Sequence, residues 1–188
     1  MSRGALRTVY RQKRLSLSSE ERLSGANQIM IKIIEVLKAN PILKHIHVYL
    51  PIERLKEVDI FPLIERMIQD GYHLYTSIVQ DDTGLLRTVK VTDLEGLNVD
   101  KWGIPTPKVL DFADEALIQM VIVPLLVYDK KGNRLGYGKG FYDKFLSSLN
   151  QEVLKIGVSF FPPEEQIESE WHDIPLDICI TPKETFLF

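Results

Sequence analysis

The 188-residue sequence contains one cysteine, Cys179. A single thiol excludes an internal disulfide framework and any zinc site assembled from several thiolates. Its setting, "DICIT", reads as a buried strand, so Cys179 is expected to be a small core residue. No stretch approaches the ~18–20 consecutive apolar residues of a membrane-spanning helix. The basic N-terminus "MSRGALRTVYRQKR" has no apolar region behind it, so no secretory signal is expected. Its acid-poor composition is like that of an organellar presequence, but the helical pattern runs on unbroken, and the cytoplasm is the default location. An excess of positive charge is also missing. With a formal net charge of −3 there is no global field to draw nucleic acid or an acidic membrane, so any cationic site must be local. Repeats, low-complexity tracts and interdomain linkers are absent.

What is present is an ordinary globular composition, 45% hydrophobic and 26% charged, at a length suited to one domain over residues 1–188. A helix is expected over residues 3–15. A second starts at a capping box, Ser18-x-x-Glu21, and places Leu23, Ala26, Ile29, Ile33 and Leu37 on one stripe before Asn40-Pro41 stops it. "HIHVYL" alternates and ends at Pro51, as a strand would. Asp59 is a candidate cap for the helix "IFPLIERMIQD", with Pro62 in its first turn and Gly71 ending it. "YHLYTSIV" and "LLRTVKV" read as strands joined by the turn "QDDTG". The run "LIQMVIVPLLVYD" suits a central strand buried on both faces, and "VLKIGVSF" and "ICIT" read as the last strands. The alternation predicts a single-domain α/β fold, a mostly parallel twisted sheet flanked by helices.

Five stretches could carry chemistry. In "RLGYGKGFYD", residues 134–143, Gly136, Gly138 and Gly140 alternate. A P-loop needs Ser or Thr after Lys139, and the dinucleotide fingerprint needs glycine where Phe141 stands, so neither pattern fits. Glycines still let the backbone approach an anion, and a helix starting near Phe141 would add its dipole. Arg134 and Lys139 could then neutralise phosphate oxygens; the alternative is a flexible turn. Asp143 either complements the helix dipole or ligates a magnesium that bridges phosphates. Arg3, Arg7, Arg11 and Arg14 share one helix side, as a solvated face or as forks for phosphate. Glu53 and Glu57 follow a strand end and read best as surface salt-bridge partners. Trp102, in "KWGIPTP", is a core plug or a stacking platform. In "EWHDIPLDICIT", His172, Asp173 and Asp177 precede the final strand; one Asp could join Asp143 on a metal, although turn capping is the ordinary role.

Taken together, "LR" on a basic N-terminal helix, "Y.P...KEVD", "W.GIPTP", "PLLVYDKKGNRLGYGKGFYDKFL" and "HDIPLD..IT" resemble, in order and over nearly the whole chain, the 5-formyltetrahydrofolate cyclo-ligase (methenyltetrahydrofolate synthetase) family. The resemblance implies a compact α/β enzyme that uses ATP and magnesium (Mg2+) to convert 5-formyltetrahydrofolate to 5,10-methenyltetrahydrofolate, releasing ADP and phosphate. It implies that the formyl oxygen is phosphorylated and that the ring then closes. By position, Arg3, Arg7, Arg134, Leu135, Gly136, Tyr137, Gly138, Lys139, Gly140, Phe141 and Tyr142 would contact ATP, with Arg134 and Lys139 as catalytic cations. Leu50, Glu57, Trp102 and the loop from Tyr137 to Phe141 would contact the folate, and Asp143 and Asp173 the metal. The chain departs from the family at Arg3, usually lysine, at Phe141, usually tyrosine, and at Thr106, often glutamate. Expected partners are the small-molecule substrate alone, with no nucleic acid and no membrane, for a monomer. The competing classes are a nucleotide- or RNA-binding module using the basic helix, and another phosphate-handling α/β enzyme such as a sugar-phosphate isomerase.

Overall fold

Ser2 and Ser18 each put a hydroxyl where a helix begins in the computed structural model, which describes residues 1–80, 85–101 and 103–188. Ser2 Oγ accepts from the Ala5 N–H at the start of α1 (Arg3–Ser16). At α2 (Ser19–Ala39), Ser18 accepts from the Glu21 N–H while the Glu21 carboxylate accepts from the Ser18 N–H, so the capping box is complete. Ser18→Ala is expected to lower stability by about 1 kcal/mol. In urea denaturation this would move the midpoint and leave the slope unchanged.

The buried side of α2 is Gly25, Ala26, Ile29, Met30, Ile33 and Leu37. Leu23, expected on that stripe, is 64% exposed; the buried residues of α2 begin at Gly25. There Phe160 lies 3.0 Å from where a Cβ on Gly25 would stand. In α3 (Phe61–Gln69) the expected cap is displaced by one residue: Ile60 precedes the helix, and Asp59 accepts from the Phe61 N–H at 3.0 Å. Pro62 sits in the first turn, and Gly71 follows the helix end with φ 79°.

The strands are β1 (His45–His47), β2 (His73–Val79), β3 (Leu86–Val91), β4 (Asn98–Val99), β5 (Pro105–Thr106), β6 (Met120–Pro124), β7 (Val127–Tyr128), β8 (Arg134–Leu135), β9 (Leu154–Val158), β10 (Ile178–Ile180) and β11 (Thr185–Leu187); α4 (Phe141–Ser148) lies between β8 and β9. Seven of them form one sheet in the order β11-β10-β9-β6-β1-β2-β3. The pairings β2–β1, β1–β6, β6–β9 and β9–β10 are parallel; the outer pairings, β2–β3 and β10–β11, are antiparallel. The fold is thus the expected α/β domain with a mostly parallel sheet. The turn expected between β2 and β3 falls largely on residues 81–84, outside the described residues, as does Trp102.

β6 is central, and its Met120 to Val123 are fully buried. The apolar run expected to continue as one strand breaks after Pro124. Val127–Tyr128 instead pairs with Arg134–Leu135 in a separate β7–β8 ladder, since proline cannot donate to a sheet. One sheet face packs on α2 and α3, the other on α4, and α1 lays Leu6 and Tyr10 on the β7–β8 ladder. Cys179 is fully buried in β10, as expected. Among the described residues no helix is long and apolar enough to cross a membrane.

From β1 the chain winds outward to β2, and from β6 it winds the other way to β9. The reversal between β1 and β6 is a topological switch point, where open α/β sheets leave a crevice beyond the strands' carboxyl ends.

Candidate functional site

A cleft of about 1320 Å³ opens at that switch point, room for two drug-sized ligands. Its walls bring together Arg3, Arg7, Leu50, Glu57, Arg134, Gly136, Tyr137, Gly138, Lys139, Gly140, Phe141, Tyr142, Asp143 and Asp173. Of the residues singled out in the sequence, Leu135 is turned away. It is 1% exposed and packs with Leu6 and Val127, because the alternation of β8 points it under α1. Trp102 lies outside the described residues.

One wall is cationic and backbone-rich. Gly138 (φ 90°) and Gly140 (φ 69°) hold left-handed conformations that side chains disfavour. A Cβ on Gly138 would meet the Arg7 guanidinium at 3.4 Å, ordinary contact, so it is the backbone conformation rather than space that favours glycine there. Arg7 Nε donates to the Gly136 carbonyl at 3.1 Å. Gly140 leads straight into α4 with no side-chain cap, which leaves first-turn N–H groups available at the cleft.

Two ion pairs brace this wall. Arg3 grips Asp173 with both terminal nitrogens, at 2.5 and 3.0 Å, and donates to the Glu168 carbonyl at 2.9 Å. Arg134 Nη2 donates to Asp143 Oδ1 at 3.0 Å and Nη1 to the Ile174 carbonyl, while the Ile174 N–H returns to Asp143. Partial burial pushes the Asp173 carboxyl up, but the Arg3 fork and the Glu170 N–H outweigh it, leaving the group below the usual carboxylate range. Arg134 is thus more than a loop cation: it is buried and clamps the 168–174 loop to α4. Asp143 and Asp173 are hard oxygen donors at the cleft wall, the donor type a magnesium would take. Each already carries an arginine, so the set is charge-balanced before any metal or phosphate arrives. Glu170 and His172 lie close to Asp173, with ligand atoms within 4.8 Å of one another, and are exposed. Asp177 stays out of the cleft and binds the Lys155 N–H and ammonium.

The opposite wall corrects two expectations. Glu57, read as a surface residue, is 6% exposed. The chain reaches it through Lys56, whose left-handed φ of 48° ends a short 3₁₀ turn and whose ammonium caps the carbonyls of Leu15 and Leu17 at the end of α1. Glu57 Oε2 accepts from the Ile52 N–H at 2.8 Å, and Oε1 from the Tyr137 hydroxyl at 2.5 Å. Arg14, expected with Arg3, Arg7 and Arg11 on one face, is instead buried; it donates to the Tyr137 oxygen at 2.5 Å and to the Leu125 carbonyl at 3.2 Å. Burial raises the Glu57 carboxyl above its ordinary value, and Tyr137, Ile52 and Arg14 only partly oppose that. Burial and the neighbouring Glu57 likewise push the Tyr137 phenol up. Glu53 keeps its surface role, 3.4 Å from Arg22.

Sequence reasoning missed Ser77, Arg54, Glu170 and Trp171, which also line the cleft. Trp171 is 96% exposed, and a tryptophan in an irregular segment beside His172 and Asp173 carries no periodicity that would mark it as a cleft residue. Thr106 pairs with Asn98 in the small β4–β5 ladder and does not line the cleft.

The profile of the 5-formyltetrahydrofolate cyclo-ligase family matches residues 1–182. The 5-formyltetrahydrofolate cyclo-ligase of Mycoplasma pneumoniae is 27% identical over 182 residues, 96% of this chain and 98% of that protein. The Mus musculus protein of the same name is 29% identical, over 92% of this chain and 89% of its own. Among solved structures, Aquifex aeolicus 5,10-methenyltetrahydrofolate synthetase superposes with a TM-score of 0.80 at 29% identity, covering 100% of this chain and 93% of that one.

Proposed function

From the premise that the chain belongs to the 5-formyltetrahydrofolate cyclo-ligase family, we propose that it converts 5-formyltetrahydrofolate to 5,10-methenyltetrahydrofolate at the expense of ATP, with magnesium. The observation that carries this reading is the double use of one loop. Residues 136–140 run from the Tyr137–Glu57 pair on one wall, past Arg7 at Gly136 and Gly138, to the uncapped start of α4 on the other. A triphosphate suits the second wall, and a neutral heterocycle bearing N–H donors suits the buried carboxylate.

In this mechanism Arg3, Arg7, Arg134, Lys139 and the loop N–H groups orient the triphosphate. Leu50, Glu57, Tyr137, Phe141 and Trp102 hold the folate. The formyl oxygen attacks the γ-phosphorus and ADP departs. The second folate nitrogen then attacks the activated carbon, the C–O bond breaks, and phosphate leaves with the former formyl oxygen and takes up the proton that the nitrogen releases. No enzyme nucleophile is needed; positioning and charge stabilisation are the protein's share. Asp143 and Asp173 would hold the magnesium, which supplies positive charge to the phosphate oxygens. The enzyme acts on small molecules as a cytoplasmic monomer, with neither nucleic acid nor membrane as partner.

Purified protein given 5-formyltetrahydrofolate, ATP and magnesium should form the methenyl chromophore, and omission of ATP should abolish it. Methenyl product formed without ATP would overturn the nucleotide requirement. Lys139→Ala should weaken nucleotide binding by about 1.5–3 kcal/mol, the worth of a charge-assisted hydrogen bond. Titration calorimetry with ATP, with circular dichroism to confirm the fold, checks it; unchanged affinity would make Lys139 a solvated loop residue.

A further inference from the structure

His47 and Ser77 form a pair that the proposed chemistry leaves unused. His47, on β1, is fully buried, and its Nε2 lies 2.7 Å from Ser77 Oγ on the neighbouring β2. Its other ring nitrogen, Nδ1, has no hydrogen-bond partner among the described residues. The ring is wedged against Phe145, with centroids 4.5 Å apart, and Tyr142 stands edge-on at 6.2 Å. In that setting the imidazole is held neutral, its pKa pushed down to about 3 by burial.

A neutral imidazole carries one proton, and its position decides what Ser77 can do. With the proton on Nδ1, a buried N–H would be orphaned, the costlier of the two defects. With the proton on Nε2, His47 donates to Ser77 Oγ and only an acceptor lone pair goes unmatched. Ser77 Oγ is then already an accepting oxygen, and its own hydrogen must find an acceptor elsewhere. Among the described residues Ser77 makes no other side-chain hydrogen bond. Ser77 lines the cleft, half-buried.

The surroundings of Ser77 define the acceptor. Val79, two residues on, shares its face of β2 and pairs with Leu86; both line the cleft, as do Ile104 and Tyr142. A hydroxyl set beside Val79, Leu86 and Ile104 suits a flat, largely apolar ligand with an exposed oxygen. It does not suit phosphate, whose oxygens call for the cations of the other wall. We propose that Ser77 is a substrate-contacting specificity residue, donating a hydrogen bond to a ring or benzoyl carbonyl oxygen of the folate, with His47 as the positioning residue that aims it. This rests on the folate reading above.

The test is steady-state kinetics and direct folate binding for Ser77→Ala, Ser77→Thr and His47→Gln. Ser77→Ala should raise KM and Kd for 5-formyltetrahydrofolate about three- to tenfold, with kcat and the KM for ATP within twofold of wild type. Ser77→Thr, which keeps the hydroxyl, should restore folate affinity. His47→Gln, which can present an amide donor near the Nε2 position, should lose less than Ser77→Ala. Unchanged folate affinity in Ser77→Ala, beside a wild type that binds folate, overturns the proposal and leaves the folate reading standing. A folded wild type that binds no folate overturns both.

Discussion

Arg134→Ala is expected to destabilise the protein by about 2–4 kcal/mol and to lower nucleotide affinity in the same variant. Arg134 has a side chain 4% exposed, and its partner Asp143 is 25% exposed, so the pair is sheltered from solvent screening. Removing one partner strands the other charge and also frees the Ile174 carbonyl. Breaking a fully buried pair costs about 3–5 kcal/mol; the partial exposure of Asp143 sets the lower figure. Arg134 also ties the 168–174 loop, and through Asp173 the position of Arg3, to the start of α4. Urea denaturation measures the first effect and ATP titration the second. The control is Arg134→Ala with Asp143→Asn: removing the stranded charge should return part of the lost stability and none of the nucleotide affinity. A loss below about 1 kcal/mol, the range of exposed pairs, would make this a surface salt bridge.

Glu57→Gln should reduce folate affinity by roughly 10- to 100-fold, the worth of a hydrogen bond to a buried charge, and should also change how stability depends on pH. The folded-state value of Glu57 lies above its unfolded value because of burial. Its contribution is therefore fully present below the unfolded value, about 4.3, and is lost as pH rises through the elevated folded value. Wild type should lose stability across that window, and Glu57→Gln should lack this component of the slope. The amide brings its own cost: Ile52 and Tyr137 donate to different oxygens of Glu57, and the amide nitrogen that replaces one of them cannot accept, so the variant should be the less stable protein in acid. Parallel stability profiles for the two proteins would show that Glu57 is not the buried carboxylate described.

Periodicity and capping chemistry made much of the scaffold legible. Ser18 and Glu21 announce α2, and the unbroken apolar stretch in β6 announces the sheet centre. The departures have local causes. Pro124 ends β6 because it cannot continue a ladder, which diverts the following apolar residues into β7. The edge strand β11 is three residues long, too short for alternation to register. The loop at residues 134–143 could be read as a phosphate site because glycine and cation patterns are local. The other wall is legible only through the family resemblance, because its chemistry is assembled across distance. Glu57, Tyr137 and Arg14 lie on three separate segments, and a glutamate in a charged stretch gives no local sign of burial. The pairing of His47 with Ser77 is equally invisible before the register of β1 on β2 is known.

If one cleft joins a triphosphate to a formylated folate, the formyl oxygen must become a phosphate oxygen. The direct measurement is a single round of turnover with 5-formyltetrahydrofolate carrying heavy oxygen in its formyl group, followed by mass spectrometry of the inorganic phosphate. Label recovered in phosphate, with the methenyl product and ADP formed in equal amounts, is the predicted result. Methenyl product with unlabelled phosphate, or ADP released without ring closure, would contradict it.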